Sequence, residues 1–321
     1  MRHLLFALAT LALVFQSARA ADGKVSGPDD PDFKLQGEYL GEVKDPGGET
    51  IPMGVQVIAQ GGGKFHAVAY IGGLPGEGWL GEGKFEVNGE LKDGTVVFGS
   101  DQGKAELKDG ELKVVGPSGD VMAELKKVER KSPTLGEKAP EGAVVLFDGT
   151  SADAFEGGKL NEDQTLASGA TSKQKFGSCQ LHIEFQLPFM PEAREQARGN
   201  SGCYLQGRYE VQMLDSFGLK GENNECGGIY SIKAPDTNLC YPPLAWQTYD
   251  IDYTAAEYQD GKKVKNAKMT VKHNGQVIHE DVELPNATTA APVPEGPEPG
   301  PIYLQDHGNP VRYRNIWVVE K

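Results

Sequence analysis

Apolar and polar residues alternate in short runs along most of the chain, and glycines and prolines separate the runs. This is the period of β-strands, whose successive side chains point to opposite faces of a sheet. In the first third the runs fall at residues 54–59, 64–70, 95–98 and 121–125. Asp93-Gly94 and Asp109-Gly110 are hairpin signals, because both central residues of a type I′ turn need positive φ. They predict a small antiparallel sheet or half-barrel over residues 36–125. Residues 126–142 (KKVERKSPTLGEKAPEG) lose the period, carry two prolines and read as a linker. Strand-like runs resume at 144–147, 180–187, 227–232, 246–253, 268–273, 276–281, 302–305 and 314–319, with Asn274-Gly275 as the clearest hairpin. Residues 285–301 are Pro- and Ala-rich and read as an exposed loop. The predicted class is all-β, with a jelly-roll β-sandwich over residues 143–321 preceded by the smaller antiparallel β domain.

Residues 199–216, GNSGCYLQGRYEVQMLDS, carry an unusual alternation. Read as one strand, one parity gives Cys203, Leu205, Gly207, Tyr209, Val211 and Met213, a face fit for burial. The other gives Tyr204, Gln206, Arg208, Glu210 and Gln212, with Asp215 just beyond. An aromatic, two amides, a cation and a carboxylate in one row suit the floor of a groove for a hydroxyl-rich ligand. The plain alternative is a solvent-facing strand with an Arg208–Glu210 pair. Two further polar clusters lie in the same domain: His182 with Glu184, and Gln305-Asp306-His307-Gly308-Asn309 followed by Arg312 and Arg314. Glu and His are the usual proton-transfer groups near neutral pH, and Arg offers a planar fork of donors to an oxyanion. His66 and the loop residue Trp79 read as structural, and His273 and His279, flanking the Asn-Gly hairpin, are expected to be exposed. G-x-S-x-G, P-loop, H-E-x-x-H and Rossmann signatures are absent from the sequence. No cofactor is indicated. A divalent ion is compatible with a jelly roll, but no ligand set stands out.

Composition narrows the setting. A chain of 321 residues holds two cores, and a net charge of -14 argues against nucleic acid or an anionic membrane as partner. Arg2 and His3, an apolar run at 4–15 and Ala18-Arg19-Ala20 form the pattern of a secretory signal peptide over residues 1–20. A flexible lead-in is expected at 21–35. With no other long apolar run and therefore no membrane span, the mature protein is expected in the periplasm or outside the cell. Export permits disulfides. Cys226–Cys240 is the expected bridge, clipping a Gly- and Pro-bearing loop. Cys179 and Cys203 form either a second bridge or two small buried apolar residues.

The motifs VVLFDGTS, FGSCQLHIEFQLP, GNSGCYLQGRYEVQMLDS, NECGGIYSIKAP, PPLAWQTYDIDY and PIYLQDHGNPVRYRNIWVVE follow one another through residues 143–320. In this order they resemble the 3-keto-disaccharide hydrolase family. Cys203 departs from the family pattern, which commonly has an aliphatic residue there. The resemblance implies a concanavalin-like jelly roll and action on glycosides oxidised to a ketone at C3. The ketone acidifies the C2 proton. A base removes it, the C1 leaving group departs by elimination, and water adds to the product. On this reading Glu210 or His307 is the base or acid, and Arg208 holds the developing oxyanion. Tyr204, Gln206, Gln212, His182, Glu184, Asn309 and Arg312 contact the substrate, and Trp246 or Tyr249 stacks on the sugar. The runner-up is a non-catalytic carbohydrate-binding module. The carbohydrate is the expected partner in both cases, and the oligomeric state is left open.

Overall fold

The computed structural model describes residues 23–44, 48–100, 103–116 and 118–321. The proposed signal peptide lies outside the described residues. Among them no helix is long and apolar enough to cross a membrane.

Eight antiparallel strands, from Gly37–Lys44 to Val121–Val128, form a closed up-and-down barrel. Closure comes from pairing of the first strand with the last, where Glu38 faces Val128 and Val43 faces Ala123. It removes the two sheet edges that a half-barrel would expose. Eight strands leave an interior that side chains alone can fill, and Tyr39, Val57, Phe65, Phe98, Leu107 and Leu125 fill it. The strands Lys84–Lys92, Gly103–Lys108 and Glu111–Val115 complete the ring. Their Lys- and Glu-rich outer faces hide them from a purely hydrophobic reading.

The second unit packs two sheets face to face over a separate core. One sheet runs Phe155–Glu156, Ala170–Phe176, Gly300–Leu304, Ser201–Leu205, Tyr209–Met213. The other is seven-stranded and has Arg312–Glu320, Cys179–Gln186, Trp246–Thr254 and Ala267–His273 in its middle. Leu181, Ile183 and Phe185 of one sheet and Cys203, Leu205, Val211 and Leu304 of the other are among the residues of the apolar layer between them. The all-β, jelly-roll expectation holds.

Several local expectations do not. The lead-in is ordered where described: Ser26 N–H donates to Phe189 O at 2.8 Å, and Asp30 caps the short helix Pro31–Leu35. All four cysteines are unbonded thiols, so neither expected disulfide is present. Cys179 and Cys203 sit in different sheets, packed as small apolar residues. Cys226 and Cys240 do meet, thiol to thiol. Their sulfurs also hydrogen-bond, Cys226 with the Tyr249 hydroxyl at 3.3 Å and Cys240 to Leu214 O at 3.6 Å. His273 and His279 are buried rather than exposed. Gly275 at their hairpin tip lies so close to Pro133 that a Cβ there would sit 2.4 Å from its ring.

Pro133 belongs to the polar connection between the two units, which is clamped to the outer face of the seven-stranded sheet. Thr134 Oγ1 donates to Asp250 at 2.8 Å, Ser132 and Thr248 share a hydroxyl–hydroxyl bond at 2.6 Å, and Gly136 N–H donates to Glu184. His182 and Glu184, expected to contact substrate, lie beneath it. His182 Nδ1 meets Asp250 at 2.6 Å, and its ring stacks on Trp317 at 5.0 Å. Glu184 accepts from Arg314 Nε at 2.7 Å and from Asn315 Nδ2 at 2.9 Å. Burial alone would lower the imidazole pKa, but the Asp250 and Glu184 carboxylates outweigh it and raise it to about 9. Burial likewise opposes ionisation of Glu184, yet its donors, led by His182, hold the carboxyl down at about 2.

The sign of each shift sets a stability window. The Glu184 contribution is complete above its ordinary value of 4.5 and disappears as pH falls through about 2. The His182 contribution is complete below 6.5 and disappears as pH rises through about 9. Both are therefore full between pH 4.5 and 6.5. His182→Gln is expected to cost about 1.5–3 kcal/mol, because it removes a charged hydrogen-bond partner shared by Asp250 and Glu184. Urea unfolding followed by tryptophan fluorescence measures this, and a cost below about 1 kcal/mol would contradict the clamp.

Candidate active site

Residues 199–216 are not one strand but a hairpin. Ser201–Leu205 turns at Gln206 and Gly207, with φ of 55° and 62°, and returns as Tyr209–Met213. Two consecutive positive φ values give the turn the twist that antiparallel strands prefer. The fold-back changes what the polar row means. Tyr204 faces Glu210 directly across the ladder, and Gly202 faces Gln212. Tyr204 O–H donates to Glu210 Oε2 at 2.7 Å, and Gln305 Nε2 donates to the same hydroxyl at 3.2 Å. Gly202 is required here for space: a Cβ would lie 2.0 Å from Glu210 Oε1.

Tyr209–Met213 ends its sheet, so its outer backbone groups need partners from elsewhere. Two loops supply them. Gln212 exchanges backbone bonds with Gly227 and Gly228, and Tyr230 N–H donates to Glu210 O at 3.1 Å. Thr288 N–H donates to Arg208 O, and Glu210 N–H donates to Thr288 Oγ1 at 3.0 Å. The Pro- and Ala-rich segment expected to be a free loop is therefore tied to the edge strand. Tyr230 and Thr289 are carried into a cavity of about 100 Å³ lined also by Tyr204, Glu210, Gln212, Asn200, Gln196, Gln305 and His307.

Glu210 is only 2% exposed. Burial raises its pKa to about 7, although the Tyr204 hydrogen bond pulls the other way. Burial, with the Glu210 charge beside it, also raises Tyr204, which stays a neutral donor. His307 is exposed at the rim.

The other expected contacts divide between structural duties. Arg208 leaves the row at the turn. It donates from Nε to Pro294 O at 2.7 Å and from Nη1 to Gln206 Oε1 and Glu298 O, holding the 285–299 segment rather than facing Glu210. Gln206 is likewise engaged, by Phe176 O and the Tyr253 hydroxyl. Asn309 Oδ1 accepts from Asn200 N–H at 2.7 Å and so braces the cavity wall from behind. Arg312 pairs with Asp163 at 2.6 Å on the other sheet, and Asp215 with Arg198 at 2.6 Å. Tyr249 is fully buried in the core. Trp246 lies on the seven-stranded sheet with the Arg314 guanidinium 4.0 Å above its ring. Stacking on a sugar bound at Glu210 is thus closed to both.

Asn200 was not legible as a site residue. Its Nδ2 donates to Gln196 O at 2.8 Å and to Gln196 Oε1 at 3.0 Å. These bonds orient a side chain that is 1% exposed and whose Oδ1 has no partner. An orphaned buried acceptor is costly unless something donates to it. The sequence signal was present as the polar Asn200-Ser201 preceding the apolar run, but the brace from Asn309 is a tertiary contact.

One set among the described residues has ligand-like spacing for a metal: Glu137, His182 and Asp250, with one ligand atom from each within 4.8 Å of the others. It coincides with the clamp on the connection. Both ring nitrogens of His182 already face carboxylates there, Nδ1 with Asp250 at 2.6 Å and Nε2 with Glu184 at 3.7 Å. A protonated imidazole between carboxylates makes the same cluster without an ion.

Residues 142–319 match the 3-keto-alpha-glucoside-1,2-lyase-like domain. The chain belongs to that family. A crystal structure from Parabacteroides distasonis, provisionally named a glycosyl hydrolase, is 34% identical, covers 57% of this chain and 85% of its own, and superposes with a TM-score of 0.52. A second, similarly named structure from the same organism is 18% identical over 56% of this chain and 94% of its own, with a TM-score of 0.41. No curated protein matches. The family match begins after the barrel, so the barrel is an addition to the lyase-like domain.

A raised carboxyl pKa lets the folded state favour the protonated form. The associated stability is full below pH 4.5 and is lost as pH rises through about 7. The loss is expected to reach about 3 kcal/mol and to vanish in Glu210→Gln. Paired urea titrations of wild type and variant between pH 5 and 8 measure it. Parallel pH dependences in the two proteins would contradict the raised pKa.

Proposed function

We propose that this is an exported glycoside-processing enzyme that cleaves 3-keto-glycosides by elimination. The observation that supports it best is the cavity lining, in which Glu210 is the single carboxylate. The usual glycosidase schemes need two carboxyl groups flanking the bond. Elimination next to a ketone needs one base poised near neutrality, and Glu210 has a pKa of about 7.

In this reading Glu210 takes the C2 proton through Oε1, because Oε2 is held by the Tyr204 hydroxyl. The C2–H electron pair becomes the enolate and then the C1–C2 double bond. The C1–O bond breaks, and the departing oxygen takes a proton at the rim, where His307 stands. Glu210 as acid and His307 as base remains the alternative assignment. Water added across the double bond returns a free 3-keto sugar. The neutral donor Gln305, with one N–H beyond its bond to Tyr204, and the acceptor Asn200 Oδ1 suit sugar oxygens and hydroxyls. The cavity is small, so it takes one edge of the oxidised ring while the rest of the glycoside lies outside. Arg208 has no part in the chemistry; the oxyanion is served by neutral donors.

Glu210→Gln is expected to lower turnover of a 3-keto-glucoside by at least about a hundredfold. Wild-type kcat/KM is expected to rise with pH through about 7 if Glu210 acts as the base, and to fall if it acts as the acid. Product analysis on 3-keto and unoxidised disaccharides tests the substrate class. Saturable sugar binding without any product would establish the binding-module reading instead. Asn200→Ala is expected to raise KM about tenfold or more with a smaller change in kcat, since it removes an acceptor for a substrate hydroxyl. Unchanged KM would remove Asn200 from the site.

A further inference from the structure

A second cavity, of about 400 Å³, lies between the barrel and the sandwich. This is the size and location in which small-molecule sites commonly form. It is distinct from the Glu210 cavity, because the sandwich contributes Trp246 and Arg314 of the seven-stranded sheet rather than the hairpin. The barrel contributes Lys127, the segment just before it Gln36, and the connection Lys131.

Three observations give this cavity the character of a ligand site. The first is Gln36. It is 2% exposed, its Oε1 accepts from Ala59 N–H at 3.5 Å, and its Nε2 has no partner. A buried amide donor without an acceptor is destabilising, and this one belongs to a residue lining the cavity. The second is charge. Glu38 is matched by Arg130, which holds it through Nε at 2.7 Å, and Arg314 is matched by Glu184. Lys127 and Lys131 then stand against the single carboxylate Glu129. The lining is thus net positive on a protein of net charge -14. Lys127 is partly desolvated by its surroundings, which lowers its pKa, and it donates to Lys34 O at 2.7 Å while retaining further N–H groups. The third is Trp246, half-buried in the lining, with the Arg314 guanidinium over its ring. A broad aromatic surface beside hydrogen-bond donors is what the apolar face of a sugar ring requires.

We infer that this cleft is a second carbohydrate site, selective for a short saccharide that carries an anionic group, a carboxylate or a sulfate ester. The ring packs against Trp246, the anion meets Lys127 and Lys131, and an oxygen of the sugar accepts from Gln36 Nε2. Neutral saccharides lack the partner for the lysines. The site belongs to the two-unit protein alone, since Gly37, Glu38, Lys127 and Val128 of its wall come from the barrel. The inference does not depend on the chemistry at Glu210.

Isothermal titration calorimetry of the full mature protein tests it, using digalacturonate, a sulfated disaccharide and maltose at low salt. Saturable 1:1 binding of at least one anionic sugar is expected, at least about tenfold tighter than maltose and weakened by added salt. Preference for digalacturonate or for the sulfated sugar identifies the anionic group. Trp246→Ala and Lys131→Glu are each expected to weaken binding about tenfold, with turnover at the other site unchanged. Glu210→Gln is expected to leave this binding intact. Lys131 is exposed, so its variant folds even if loss of the indole disturbs Arg314. Absence of saturable binding, equal affinity for maltose, indifference to Lys131→Glu, or loss of binding in Glu210→Gln would each overturn the inference.

Discussion

The cross-strand contact between Tyr204 and Glu210 is the constraint on which the candidate site rests. A carboxyl that is 2% exposed favours its neutral form, and one phenolic hydrogen bond does not restore the balance. The result is a carboxyl with a pKa of about 7 in a wall of amides and hydroxyls. Everything around it serves this placement. Gly202 leaves room for the carboxylate, Gln305 supports the phenol from behind, and the positive-φ turn at Gln206-Gly207 folds one strand onto the other.

The loops follow from the same geometry. An edge strand leaves a row of backbone groups unpaired, and these are met by Gly227, Gly228, Tyr230 and Thr288. Satisfying the edge thereby builds the cavity. Arg208, which looks like chemistry in the sequence, holds the 285–299 segment against the hairpin, and Gln206 accepts from its Nη1. Their contribution is to keep Thr289 in the wall.

The opposite sheet uses its polar residues for a different end. His182, Glu184, Asp250 and Arg314 form a charge cluster that fastens the connection between barrel and sandwich. The opposed pKa shifts of His182 and Glu184 are those of a mutually compensated ion pair. Fastening the connection keeps the barrel beside the seven-stranded sheet, and the interdomain cleft lined by Trp246 lies between them. The barrel, closed on itself, has no free edge with which to bind anything by strand addition.

Strand period and turn residues alone determined the all-β class, the hairpins at Asp93-Gly94, Asp109-Gly110 and Asn274-Gly275, and the buried parity of Cys203, Leu205, Val211 and Met213. These are local properties, written in the alternation of side chains and in residues that tolerate positive φ. The motif order also carried the family. Glu210, Tyr204 and Gln212 were legible as polar residues out of place on an ordinary strand, and His307 as a member of the polar cluster at 305–309. Sequence could not say that the row folds back at Gln206, because Gln-Gly is a weak turn signal beside Asn-Gly. That one turn decides that Tyr204 meets Glu210 and that Arg208 does not. Nor could it separate His182 and Glu184 from the site, since both sheets present polar faces and only packing tells which face is covered. Closure of the barrel, the orphaned oxygen of Asn200 and the cleft at Trp246 are likewise long-range. Each depends on groups far apart in the chain competing for the same few partners, and the three-dimensional packing alone settles that competition.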